Sequence, residues 1–226
     1  MKVAAIVPAA GKGKRIRSSI PKPYIRIKDK PILIHTLSRL SRSKSISEVI
    51  VACDKENMAL AERLIKRFSI KKTKVVEGGK ERKDSVLNAL KSVSKDVDYI
   101  LVHDAVRPNI SNEIIDSSIK AAKKYKASCV AVPVKPTLKY VEKDLISYTP
   151  IRKRFWEAQT PQVVRKDLLE KAYKKIRPKS VITDDCMLVE SIGVRPKVVM
   201  GSYSNIKITT KEDLEIAKVL MNRRLR

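Results

Sequence analysis

Short apolar runs alternate with helical patterns over the first 134 residues, and this alternation is the feature that most restricts the fold. Runs rich in β-branched residues predict strands at 2–8, 48–53, 73–77, 98–103 and 128–134. Continuous apolar sequence is typical of parallel strands that are covered on both faces. Helical spacing occurs at 31–41, 56–68, 82–93, 111–124 and 165–176, and again from Thr210, whose spacing to Asp213 fits a capping box. The sequence therefore predicts a three-layer α/β fold, a mostly parallel sheet with helices on both faces.

The strand–helix rhythm breaks after Val134. Residues 137–150 predict two short strands around a Glu-Lys-Asp turn, with no helix between them. A two-stranded ribbon is only marginally stable in water, so it needs a surface to lie against. We expect one domain over residues 1–226, with a protruding β-arm at about 136–158 that docks on a second subunit.

The chain is strongly basic, with 50 Lys and Arg against 24 Asp and Glu, a net charge of +26. Such a charge invites nucleic acid as a partner. However, the basic residues run from Lys2 to Arg226 without a separate basic tail, and the few aromatic residues do not alternate with them as in a stacking platform. A lysine-rich or heat-adapted surface explains most of the charge. Nucleic-acid binding is kept only as an alternative of a different class.

Cysteine usage and hydropathy indicate a reducing, cytoplasmic setting. Cys53, Cys129 and Cys186 lie far apart and form no C-x-x-C pair, so neither a disulfide framework nor a zinc site is predicted. The N-terminus lacks the apolar segment of a signal peptide, and no apolar run is long enough for a membrane span. We expect no membrane partner.

Polar segments follow three of the predicted strands. They are residues 9–15, which lead to Lys22, then residues 78–85 and residues 103–108. Ligands of open α/β sheets bind beyond the carboxyl ends of the strands, so we expect these segments to form one site. Glycine-rich turns after a strand offer backbone N–H groups to phosphate. The first segment matches neither the P-loop nor the dinucleotide fingerprint, because no Gly-Lys-Ser/Thr ends it and residue 16 is Ile.

Each segment also has a purely structural explanation. The glycines of the first segment could form an ordinary turn, and Ser85 could face solvent in the first turn of a helix. Asp104 and Arg107 could simply pair with each other in a loop. Asp184 and Asp185 could either begin a helix or border a ligand.

Six motifs in register nevertheless resemble one family. They are Ala-Ala-Gly-x-Gly-x-Arg with Pro-Lys-x-Tyr, Gly-Gly-x-x-Arg-x-x-Ser-Val, Val-His-Asp-Ala-Val-Arg-Pro, Thr-Pro-Gln at 160–162, Thr-Asp-Asp at 183–185 and Asn-Ile-Lys-Ile-Thr at 205–209. Together they resemble the 2-C-methyl-D-erythritol 4-phosphate cytidylyltransferases of the non-mevalonate isoprenoid pathway. The resemblance runs over essentially the whole chain. It implies a Rossmann-like nucleotidyltransferase domain whose arm clasps a second subunit, giving a homodimer.

The resemblance also implies a reaction and a set of site residues. An oxygen of a sugar-alcohol phosphate attacks the α-phosphorus of CTP in line and releases pyrophosphate, with Mg²⁺ held mainly by the CTP phosphates and no protein metal site. The residues implied in catalysis are Arg15, Lys22 and Lys207. Those implied in nucleotide binding are Ala9, Ala10, Gly11, Gly13, Gly79, Lys80 and Ser85. Those implied in acceptor binding are Asp104, Arg107 and Thr160, with Thr137 and Arg152 supplied by the neighbouring chain's arm.

Two positions depart from the family pattern. Pro136 precedes the arm threonine where the family often has an acid, and Lys80 stands where an acidic or small residue is common. These departures affect the entry to the arm and the contacts to the base. The related ribitol-5-phosphate cytidylyltransferases share the glycine-rich loop and the Thr-Pro-Gln motif, so ribitol 5-phosphate remains the alternative acceptor.

Overall fold

The computed structural model describes residues 1–11, 20–176 and 180–223. Its main sheet contains β1 (Lys2–Pro8), β4 (Glu48–Cys53), β5 (Thr73–Glu77), β6 (Val97–Val102), β7 (Ala127–Pro133), β10 (Trp156–Arg165) and β11 (Lys197–Met200). Two small hairpins contain β2 (Arg26–Ile27) with β3 (Lys30–Pro31), and β8 (Tyr140–Glu142) with β9 (Leu145–Tyr148). The helices are α1 (Ile32–Arg42), α2 (Met58–Arg67), α3 (Arg82–Lys91), α4 (Asn112–Tyr125), α5 (Lys166–Lys175), α6 (Asp185–Glu190) and α7 (Lys211–Arg223).

The seven strands of the main sheet lie in the order β11-β7-β10-β6-β1-β4-β5. β1 pairs in parallel with β4 and β6, β4 with β5, and β11 with β7. β10 alone runs antiparallel, between β6 and β7. The prediction of a mostly parallel sheet between helices is confirmed.

The sequence reading did not predict β10 or β11. A proline within an apolar run argues against a central strand, and β10 contains Pro161. The strand accommodates it because the pairing with β7 shifts register between Ala158 and Gln162. β11 lies at the sheet edge and has only four residues, so it is too short to show a clear alternation of apolar and polar residues.

Alternate residues of the strands fill two apolar cores. Along β1, Val3, Ala5 and Val7 face one core, which also contains residues of α1, α2 and α4. Ala4 and Ile6 face the other core, with residues of α3, α5 and α6. Successive side chains of a strand point to opposite faces of the sheet, and here both faces are covered by helices. The runs are therefore apolar at every position.

A third, small apolar cluster positions the segment before α7. Ile208 and Ala217 pack there against Ile27, Ile32 and Val106. The backbone N–H of Ile208 donates to the carbonyl of Val106, 3.0 Å away, so this segment lies against the loop that follows β6. The predicted capping box is present, because the N–H of Thr210 donates to Asp213 and the N–H of Asp213 donates back to the Thr210 hydroxyl.

The hairpin β8–β9 stands apart from both cores. Its turn residues Lys143 and Asp144 have φ angles of 47° and 64°, as a two-residue hairpin turn of this twist requires. All residues of β8 and β9 are exposed, including Val141, Leu145 and Ile146. The two short strands expected around the Glu-Lys-Asp turn are therefore present, whereas their docking on a second subunit stays a prediction.

In the described part of the chain, none of the helices combines the length and the apolar character needed to cross a membrane. Cys53, Cys129 and Cys186 are all buried as free thiols.

Candidate active site

The loops after β1, β5 and β6 surround a first cavity of about 290 Å³ at the carboxyl ends of these strands. This is the edge at which the sequence predicts the site. The predicted residues that line the cavity are Ala9, Ala10, Gly11, Lys22, Gly79, Lys80, Ser85, Asp104 and Lys207. Residues from distant parts of the chain are thus brought together.

A second cavity of about 230 Å³ lies beside the first, next to the start of α6. It is lined by the predicted residues Arg107 and Thr160, together with Gln159, Gln162 and Asp184, among others. Among the described residues, three side chains line both cavities, those of Arg82, Asp104 and Lys207. The two cavities therefore meet at a shared wall of charged groups.

Two predicted site residues are not described, and two others line neither cavity. Gly13 and Arg15 fall outside the described residues. Thr137 and Arg152 are exposed at the base of the β8–β9 hairpin and line neither cavity. The guanidinium of Arg152 donates to the carbonyl of Lys135 in the same chain.

The loop after β5 is built by close packing. A Cβ on Gly78 would lie 2.7 Å from the Cβ of Ala10, and one on Gly79 would lie 2.3 Å from that of Asp84, so only glycine fits at either position. The Ser85 hydroxyl accepts from the N–H of Gly79 at 3.0 Å and donates to the carbonyl of Glu81 at 3.2 Å. The hydroxyl predicted to reach a ligand thus also holds the loop in shape.

The wall between the cavities is centred on the buried carboxylate of Asp104. Its Oδ1 lies 3.4 Å from Arg82 Nε, and its Oδ2 lies 3.2 Å from Arg107 Nε and 3.1 Å from Lys207 Nζ. Burial alone would raise the pKa of Asp104, but the three cations outweigh it and hold the pKa well below the usual range. Asp104 is therefore ionised at every physiological pH. The pairing with Arg107 that the sequence left open is present, within a larger cluster.

Arg107 connects this cluster to the segment before α7. Its Nη1 donates to the carbonyl of Asn205, 2.8 Å away. The side-chain amide of Asn205 donates in turn to the carbonyl of Thr160 at 2.8 Å and to Gln159 Oε1 at 3.1 Å. These bonds hold β10 and the Asn-Ile-Lys motif against the loop after β6.

His103 is completely buried behind the cluster and acts as a structural link. Its Nε2 lies 3.1 Å from the carbonyl of Arg107, which can only accept, so the proton resides on Nε2. Its Nδ1 then accepts from the Thr160 hydroxyl at 3.0 Å, and that hydroxyl accepts from the N–H of Asp104. Burial lowers the pKa of His103 to about 4.

Sequence reasoning did not assign site roles to Arg82 or Gln162. It left the role of Asp185 open, and the structure places this residue at the start of α6. Arg82 was present in the Gly-Gly-x-x-Arg motif, so the signal existed. Gln162 Oε1 accepts from the N–H groups of Asp185 and Cys186 at 2.9 and 3.0 Å. Asp184 caps α6, accepting from the N–H of Met187 at 2.7 Å, and it also lines the second cavity. The helix-start role is therefore present, whereas a contact of Asp184 with a ligand stays a prediction.

The donor set of the first cavity is compatible with a metal ion carried by a ligand. Among residues 1–11, 20–176 and 180–223, no cluster of three or more His, Cys, Asp or Glu could hold a metal ion. In the same described ranges, the carboxylates that line the first cavity are those of Glu81 and Asp104, and three cations already bind Asp104. Mg²⁺ commonly binds through one or two carboxylates and the phosphates of a substrate. These residues fit a Mg²⁺ ion held mainly by phosphate oxygens.

We expect stability to depend on His103 at mildly acidic pH. Its pKa in the folded chain, about 4, lies below the ordinary 6.5, so as the pH falls between these values only the unfolded chain takes up the proton. This linkage removes about 3 kcal/mol from the free energy of unfolding between neutral pH and pH 4. Urea denaturation at both pH values should show a smaller loss for His103→Asn than for the wild type. His35, whose pKa is also lowered by burial, requires His35→Asn as the control. Equal losses in the wild type and His103→Asn would contradict the assignment.

Comparisons with known proteins agree with this geometry. The family model for 2-C-methyl-D-erythritol 4-phosphate cytidylyltransferase matches residues 3–223. The enzyme of that name from Alkaliphilus metalliredigens is 46% identical, over 99% of this chain and 94% of its own. The structure of 4-diphosphocytidyl-2C-methyl-D-erythritol synthase from Anaerococcus prevotii aligns with a TM-score of 0.87 and 33% identity, over 98% of this chain and 96% of its own. That of the Francisella tularensis cytidylyltransferase aligns at 0.81 and 32%, over 97% and 100%. The family expected from the six motifs is confirmed, and the chain belongs to the 2-C-methyl-D-erythritol 4-phosphate cytidylyltransferases.

Proposed function

We propose that this protein joins CTP and 2-C-methyl-D-erythritol 4-phosphate to give 4-diphosphocytidyl-2-C-methyl-D-erythritol and pyrophosphate. The family match supports this reaction over the transfer to ribitol 5-phosphate. The observation that carries the assignment to this site is the wall of Arg82, Asp104 and Lys207 shared by two cavities. A nucleotide in the first cavity and an acceptor in the second would bring their phosphates together at that wall.

Charge stabilisation is the main contribution of the protein. The acceptor phosphate carries an anionic oxygen, so its attack on the α-phosphorus needs neither a protein nucleophile nor a general base. The two substrates repel each other, and the α-phosphate gains charge as it becomes five-coordinate. Lys22 lines the first cavity and Lys207 lines both, so their ammonium groups would offset this charge. Arg15 joins them in the proposal by its place in the family motif.

Asp104 would bind hydroxyl groups. Because it stays ionised, it is an acceptor of hydrogen bonds and cannot act as a general acid. It faces both cavities, and so can accept from the ribose of the nucleotide or from the polyol of the acceptor. Arg107 and Thr160, on the second cavity, would complete the acceptor site.

The base would be selected by the backbone around the first cavity. Ala9, Ala10 and Gly11 form one side and Gly79, Lys80 and Ser85 the other, with Gly13 included by its place in the motif. The loop of Gly78 and Gly79 is packed tightly against Ala10, so we infer a slot suited to a pyrimidine rather than a purine. Mg²⁺ bound to the triphosphate would neutralise part of its charge.

The β8–β9 hairpin would complete the acceptor site of a second copy of this chain. Leu145 and Ile146 are 73% and 62% exposed, and apolar groups of this size on a marginal ribbon call for a partner. Thr137 and Arg152, at the base of the hairpin, would then reach the partner's acceptor. We infer a homodimer of single-domain subunits, each with its arm at about 136–158. A cytoplasmic location follows from the same biosynthetic role.

The direct test is a steady-state assay of pyrophosphate release with CTP and Mg²⁺. We expect turnover with 2-C-methyl-D-erythritol 4-phosphate and much slower turnover with ribitol 5-phosphate. ATP and GTP should be poor donors, because purines exceed the slot. A higher kcat/KM with ribitol 5-phosphate would overturn the acceptor assignment.

Replacing the cavity lysines should affect turnover far more than stability. Lys207→Ala or Lys22→Ala should lower kcat by about 10²–10³, the usual effect of removing one such charge contact. Lys207 is 41% exposed, and in Lys207→Ala the buried Asp104 keeps Arg82 and Arg107 as partners, so the thermal midpoint should fall by less than the loss of a whole buried pair would cause. Lys211→Ala, an exposed lysine at the start of α7, is the matched control and should retain full activity. A wild-type kcat in Lys207→Ala would remove this residue from the mechanism.

A charge introduced into the β8–β9 hairpin should weaken binding of the acceptor and leave binding of CTP nearly unchanged. Leu145→Asp should give monomers in sedimentation experiments, because it places a carboxylate within the proposed apolar contact. The KM for the acceptor should rise by at least tenfold while calorimetric CTP affinity stays within threefold, since Thr137 and Arg152 no longer reach a partner. Val219→Asp, at an exposed apolar position of α7, is the control. A monomer with unchanged acceptor KM would show that the arm supplies no acceptor contact.

A further inference from the structure

Arg82 lies between two buried carboxylates at the wall of the two cavities. Its Nη2 donates to Asp185 Oδ2 at 2.7 Å, and its Nε lies 3.4 Å from Asp104 Oδ1. The Asp185 and Asp104 side chains are only 2% and 7% exposed. Both carboxylates bind one edge of the guanidinium. Within the described residues, no acceptor takes the hydrogens of Nη1.

The position of Arg82 in its helix is unfavourable without these partners. It is the first residue of α3, where the helix dipole repels a cation. The dipole would favour a guanidinium that turns away into solvent. Asp185 opposes this, because the direct bond to a buried carboxylate keeps Arg82 turned towards the wall.

Asp185 is itself held rigidly. It is the first residue of α6, and its backbone N–H donates to Gln162 Oε1. Gln162 belongs to β10 and also donates to Asp184 Oδ2 at 2.9 Å. In the described chain the only cation paired with Asp185 is Arg82. A fixed carboxylate that pairs with one cation is suited to orienting that cation.

The charges form an alternating series across the wall. Asp185 binds Arg82, Arg82 binds Asp104, and Asp104 binds Lys207 and Arg107. Arg82 follows the loop of Gly78 and Gly79 at the first cavity, whereas Asp185 belongs to α6, beside the second cavity. The series therefore links the two sides of the proposed reaction.

We propose that Asp185 is a positioning residue for the phosphate transfer, holding Arg82 so that its Nη1 faces the junction of the two cavities and its Nε orients Asp104. This inference rests on the proposed function. Arg82 would contact the phosphate groups where they meet, and Asp185 would act only through Arg82. If the pair only held α3 against α6, its loss would lower stability, and the effect of Asp185 on turnover would not depend on Arg82.

The test is a mutant cycle on Arg82 and Asp185 in the full chain, with CTP and 2-C-methyl-D-erythritol 4-phosphate. Asp185→Asn should lower kcat by about tenfold or more, as a misoriented group does, and change the KM for CTP by less than threefold. In an Arg82→Gln background, the same Asp185→Asn change should have no further effect on kcat. Equal losses in both backgrounds, or a normal kcat in Asp185→Asn, would overturn the inference.

Asp167→Asn is the matched control. Asp167 is an acid in the first turn of α5 that binds Arg165 with two bonds of 2.6 and 2.7 Å, and it lines neither of the two cavities. It should keep wild-type kcat. If Asp185→Asn alone fails to fold, Arg82→Gln and the double variant, which leaves no uncompensated charge, still give the comparison. Failure of the wild type to turn over would count against the proposed function, and an unaffected Asp185→Asn only against this inference.

Discussion

The site depends on keeping one carboxylate charged inside the protein. Burying Asp104 is unfavourable unless cations compensate, and Arg82, Arg107 and Lys207 do so from three different segments. Arg107 would in turn be poorly placed without Asp104, since it is itself only 5% exposed. The mutual requirement fixes the relative positions of α3, the loop after β6 and the segment before α7. The two cavities are distinct because this cluster lies between them.

The order of the strands determines which segments can reach the cluster. The chain runs outward from β1 through β4 to β5, then returns to place β6 on the other side of β1. Such a reversal leaves a crevice at the carboxyl ends of the strands, where the loops diverge. β10 enters between β6 and β7 and carries Thr160 and Gln162 into the same region. One antiparallel strand thus supplies the floor of the second cavity.

The sequence predicted the parts of this architecture that local pattern encodes. Continuous apolar runs predicted β1 and β4 to β7, and the clustering of Gly79, Asp104 and Lys207 followed from the sheet rule together with the family motifs. β10 was missed because Pro161 and its polar neighbours interrupt the apolar pattern of a strand. The strand is stabilised by pairing with segments that are distant in the chain. The role of Arg82 was missed for a related reason. Its partner Asp185 lies 103 positions away in the chain, and no local period reports such a contact.

The net charge of +26 does not by itself explain the site. At physiological salt, exposed charges are screened over about 8 Å, so lysines spread over the whole surface contribute little to the potential within a cavity. Partly buried cations are screened far less. Those on the shared wall are also opposed by Asp104 and Asp185, which reduces the local excess of positive charge. In the proposed reaction, such a wall would orient two anions without binding either so tightly that the product is retained, since only contacts that strengthen in the transition state raise the rate.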